Sequence, residues 1–73
     1  MDERILNKIP RATLCRLNDY VGLASIGADV HAVVGKIITA CSVLYDCGIL
    51  TMSERAEVSL YFRTLAKECE GKL

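Results

Sequence analysis

Apolar side chains recur along this chain at the three- and four-residue intervals of an α-helix, and nowhere do β-branched residues alternate with polar ones over a strand's length. From Arg11 to about Ala24, the residues Leu14, Leu17, Val21 and Ala24 form one stripe, while Arg16, Asn18 and Asp19 fall elsewhere on the helical wheel. From Asp29 to about Cys47 the stripe is Val30, Val34, Ile37, Cys41 and Leu44, flanked by Val33, Ala40, Val43 and Cys47, so most of that helix's circumference is apolar. From Thr51 to about Cys69, Val58, Tyr61, Phe62, Leu65 and Cys69 share one face, with Glu57, Arg63, Thr64, Lys67 and Glu68 turned away. A short first turn from Asp2 to about Lys8 offers Ile5, Leu6 and Ile9 to the same core.

The residues between these stripes punctuate them. Asp2 can cap the first turn, and Pro10 both ends that turn and opens the next helix, where a missing N–H does no harm. Gly27 and Gly48 stand where left-handed C-terminal caps are wanted, and Asp29 stands where the third helix needs a side-chain acceptor. Thr51 and Glu54 have the spacing of a capping box. Gly71, Lys72 and Leu73 read as a fraying tail. The expected fold is all-α: one domain over residues 1–73, a compact bundle of three main helices plus a short N-terminal helical turn, with the last two helices forming a C-terminal antiparallel hairpin.

Composition narrows the function. The 73 residues carry nine Lys and Arg against nine Asp and Glu, so no overall field draws the chain to nucleic acid or to an anionic membrane. A chain this short hides only about 60% of its unfolded surface, which makes a partner subunit a physical expectation. The third helix has more apolar surface than two neighbours cover, and its remaining stripe, Ala32, Gly35 or Lys36, Thr39, Ser42 and Asp46, is mostly small, so another backbone can approach closely there. Leu60 lies off the core face of the fourth helix, and Tyr45 and Tyr61 are large and amphipathic. These three residues, Tyr45, Leu60 and Tyr61, are the candidate partner-binding residues, and a two-fold homodimer is the expected assembly.

Several chemistries have nothing to rest on. Cys15, Cys41, Cys47 and Cys69 lack the paired spacing of a zinc site and read as reduced thiols, so neither metal nor disulfide is expected. His31 is the one histidine, with no nucleophile or carboxylate at a recognisable spacing. Glu54 and Glu57 suit the first turn of a helix rather than acid–base work, and the scattered glycines form no phosphate loop. No catalytic residue and no cofactor is expected. Two acids near Met1 and the absence of a long apolar run point to a cytoplasmic chain without a membrane span.

One charge feature remains. Arg4, Lys8, Arg11 and Arg16 follow one another with no intervening acid, a candidate nucleic-acid-binding stretch if the first two helices stack coaxially. Lys8-Ile9-Pro10-Arg11-Ala12-Thr13, with Arg16-Leu17 and Tyr20, resembles the opening of the DNA-binding domain of the Rex family of redox-sensing repressors, and the resemblance implies a helix leading into a winged helix. It ends at Tyr20, and neither wing strands nor an arginine-rich recognition helix follow, so no site residue is carried over. Gly48-Ile49-Leu50-Thr51 with Glu54 likewise resembles the turn of short helical hairpins of the SHOCT type. The expected function is that of a small regulator or adaptor presenting a helical surface to a protein partner and self-associating; the alternative is a dimeric nucleic-acid-binding regulator.

Overall fold

The computed structural model describes residues 1–72 and consists of four helices, α1 (Glu3–Lys8), α2 (Arg11–Ser25), α3 (Val30–Asp46) and α4 (Met52–Cys69), with no strand among the described residues. The caps are those the side chains allow. Asp2 accepts from the Arg4 N–H at 2.8 Å and Asp29 from the His31 N–H at 3.0 Å. Thr51 Oγ1 accepts from the Glu54 N–H at 3.1 Å, while the Glu54 carboxylate accepts from the Thr51 N–H at 2.9 Å, closing the capping box.

The turns after α2 and after α3 are both Schellman motifs. After α2, the Gly27 N–H donates to the Ala24 carbonyl and the Ala28 N–H to the Leu23 carbonyl; after α3, Gly48 donates to Tyr45 and Ile49 to Leu44. Gly27 at φ 99° and Gly48 at φ 76° supply the left-handed residue that each motif needs. The turns are short, so α3 folds back on α2 and α4 folds back on α3.

Leu17, Ile37, Cys41, Val58 and Phe62 are almost wholly enclosed and form the centre of the bundle. Val33 and Leu44 extend that centre along α3, Ala24 and Ala66 close it where α2 and α4 meet, and Ile5 and Ile9 seal it from the N-terminal side. The α4 helix packs against both α2 and α3. Two extended residues, Ile9 and Pro10, separate α1 from α2. Lys8 Nζ then lies 2.7 Å from a Glu54 carboxylate oxygen, tying α1 to the start of α4.

The buried faces differ in three places from the sequence expectation. On α4 the core-facing line is Val58, Ser59, Phe62 and Ala66, with Tyr61 outside and Leu65 and Cys69 at the margin. Small Ser59 and Ala66 let that helix approach its neighbours more closely than bulky residues would. On α3, Val33 from the flank of the expected stripe is buried while Val30 and Val34 are half-buried, and Val43 is 53% exposed, on a helix expected to carry more apolar surface than its neighbours cover. The tail is also tied: the Gly71 N–H donates to the Ala24 carbonyl at 3.1 Å, bridging the ends of α4 and α2, and Leu73 lies outside the described residues.

Candidate interaction surfaces

A groove of about 690 Å³ opens between α2 and α3. On the α3 side its wall is built from Ala32, Gly35, Lys36, Thr39, Ala40 and Val43, which repeat at helical spacing. This is the small-residue stripe of the third helix, displaced slightly towards α2. At 1.5 Å per residue, the wall from Ala32 to Leu44 runs about 18 Å, the length of three helical turns. Ala12, Thr13, Arg16 and Tyr20 form the opposite wall, and α4 contributes nothing. The lining carries two cations and no carboxylate. Lys36 Nζ stands 5.9 Å from the centroid of the Tyr20 ring, which anchors that side chain along the groove.

A second surface is the outer face of α4. Glu57, Leu60, Thr64 and Glu68 are all exposed and repeat at three and four residues on the side opposite Val58, Phe62 and Ala66. Leu60 at 59% exposure is the apolar centre of that stripe, with one carboxylate a turn before it and another two turns after it. Tyr61, beside it, is 39% exposed and turns the rest of its ring edge-on to Phe62, with centroids 5.1 Å apart. Tyr45 does not join this patch. Its ring is half-buried at the end of α3 with the Arg55 guanidinium carbon 5.0 Å from its centroid.

The candidate basic stretch is dispersed in its roles. Arg4 and Arg11 are exposed, Lys8 is paired with Glu54, and Arg16 belongs to the groove. The extended Ile9 and Pro10 keep α1 and α2 from forming one continuous helix. The winged helix implied by the Rex resemblance is not formed among the described residues.

His31 is exposed in the first turn of α3, Cys15 and Cys47 are exposed, and Cys69 is partly covered. Burial pushes the Cys41 thiol up, against the opposing pull of Arg63 and Arg55, and so disfavours its thiolate. The Glu54 carboxyl is held below its usual value by the hydrogen bond from Lys8 and then by that from the Thr51 backbone. Among the described residues no three His, Cys, Asp or Glu side chains gather where they could hold a metal ion, and no helix is long and apolar enough to cross a membrane.

Leu60 and Tyr61 are exposed, and Ala32, Gly35, Lys36 and Thr39 of the small stripe of α3 line the groove, whereas Ser42 and Asp46 do not. The rest of the groove was not legible in the sequence. Sequence reading missed Tyr20, Ala12 and Thr13, whose part in the groove depends on how α2 is rotated against α3. It also missed Arg55 and Arg63, although their eight-residue separation with Ser59 midway places all three on one helical face. No family model, no curated protein and no solved structure matches this chain.

Proposed function

We propose that this chain is a small protein-interaction module, a regulator or adaptor, that self-associates by laying the outer face of α4 from one copy into the α2/α3 groove of the next. The observation that carries this reading is the uncovered groove beside α3, a three-turn trough of small and apolar residues with Arg16 and Lys36 in its walls. A helix that fills such a trough needs an apolar centre and acidic flanks. The α4 stripe has both, in Leu60 between Glu57 and Glu68.

Groove and stripe are different surfaces, so one such contact leaves a groove and a stripe open, and the assembly propagates unless it closes on itself. One helix face in one groove buries less than the roughly 800 Å² per partner of a stable complex, which puts the association in the weak, reversible class. The nucleic-acid alternative draws less support, since Lys8 is already paired and Arg16 faces the groove.

Complementation between two defective variants tests this. Leu60→Asp spoils the stripe, and Arg16→Glu with Lys36→Glu spoils the groove. Each alone should sediment as a monomer, and their mixture should form a discrete heterodimer, because each supplies the surface the other lacks. Wild-type protein should grow in mass beyond a dimer as concentration rises. A wild-type chain that remains monomeric at millimolar concentration, or a mixture that stays monomeric, would refute self-association through these surfaces.

A further inference from the structure

A second cavity, of about 290 Å³, opens between α3 and α4 and is lined by Ile38, Cys41, Ser42, Arg55, Ser59 and Arg63 together with Ala56. Arg55, Ser59 and Arg63 stand above one another on α4, and Cys41 and Ser42 oppose them from α3. Each guanidinium is held by one contact that leaves donors free. Arg63 Nε donates to the Ser59 carbonyl at 3.2 Å, which folds that group back along α4 towards Ser59 and leaves its terminal N–H groups available. The Arg55 guanidinium carbon stands 5.0 Å from the centroid of the Tyr45 ring, and a ring face offers no oxygen acceptor to its N–H groups.

Neither arginine has an acidic partner among the described residues. The one ion pair among the described residues is Lys8 with Glu54, and no carboxylate lines the cavity. Both charges are nonetheless felt at the Cys41 thiol in the cavity wall, each drawing its pKa down against burial. Two half-buried cations sharing one cavity without a counter-ion repel each other and are poorly hydrated, and an anion between them relieves both penalties.

We propose that this cavity is an oxyanion site that takes the phosphate group of a small phosphomonoester, gripped by the forks of Arg55 and Arg63 with the hydroxyls of Ser42 and Ser59 as further donors. Its volume corresponds to about ten water molecules, more than a bare phosphate fills, so a short substituent on the phosphate is accommodated. The site shares no residue with the groove or the α4 stripe and stands independently of self-association.

The test is a titration of isotope-labelled protein with inorganic phosphate and, separately, with O-phosphoserine, at ionic strength fixed with sodium chloride. Arginine Nε–Hε and backbone amide resonances are the readout. Saturable shifts are expected at Arg55, Arg63 and residues 38–42, with tighter binding of phosphoserine. Arg63→Gln should weaken binding by about tenfold or more, the loss of one charge-assisted pair of hydrogen bonds, and Arg55→Lys should fall between it and wild type. As a check that does not require removing an arginine, Ser42→Asp supplies an internal anion; it should raise the thermal midpoint above that of Ser42→Asn and abolish the phosphate shifts. Shifts that do not saturate, that chloride reproduces, or that survive Arg63→Gln would overturn the site. A lower midpoint for Ser42→Asp than for Ser42→Asn would do the same, and equal affinity for the two phosphates would overturn the ester as ligand.

Discussion

Leu17 is among the largest fully buried side chains of the bundle. It sits mid-way along α2 with no exposure, on the helix that packs against both α3 and α4. Truncation to alanine removes most of its side chain from a place where three helices meet, and none of them can collapse into the gap without moving the other two. A Leu→Ala change of this kind costs about 3–5 kcal/mol, transfer and cavity terms together. A core in a chain of this length rarely supplies more than about 3–5 kcal/mol of net stability. The two quantities are of the same size, so Leu17→Ala should leave a large part of the population unfolded at 25 °C. Far-UV circular dichroism against urea measures this directly: wild type should show a folded baseline and one cooperative transition, and the variant should lack the baseline. Protein concentration must be held constant, because association of folded copies adds to apparent stability. A variant that unfolds cooperatively with a loss below about 1 kcal/mol would refute the account, since it would mean that the three-helix contact at Leu17 relaxes freely.

Other expectations follow from single sites. Leu60→Ala, at a position 59% exposed, should leave the urea midpoint within about 0.5 kcal/mol of wild type while weakening self-association, which sedimentation equilibrium reads. Gly48→Ala forces a Cβ into φ 76°, and with open space around it the cost is conformational, about 1 kcal/mol or somewhat more, visible as a lower thermal midpoint. Glu54 has a carboxyl pKa depressed in the folded state, so its stabilising contribution is fully present above the unfolded value of about 4.3 and is lost as pH falls through the lower folded value. Thermal melts of wild type should therefore lose stability in that acid window, and Glu54→Gln, which has no charge to neutralise, should show a shallower loss there.

The helix boundaries were legible because they are set by local chemistry. Asp2, Asp29 and the Thr51–Glu54 pair cap the helices from within a few residues of their own backbone, and Gly27 and Gly48 permit a left-handed φ wherever they sit. The candidate surfaces were legible in proportion to how local they are. Leu60 stood out because it departs from the apolar stripe of its own helix. The part of Tyr20 and Thr13 in the groove, and of Arg55 and Arg63 in the anion cavity, depends on which residues of another helix they meet.

What the order of residues determined alone was an all-helical chain, four helical segments and where each begins and ends, since 3.6-residue periodicity and capping act over one or two turns. The packing of α4 across both α2 and α3 decided the rest. It selected Ser59 and Ala66 over Tyr61 and Cys69 for the interior and left Val43 uncovered. It also drew the end of α4 onto the Ala24 carbonyl through Gly71, while the rotation of α2 against α3 opened the groove along α3. The rotation of a helix about its axis is fixed by the shapes of the surfaces that press on it, and those shapes exist only once every helix is in place.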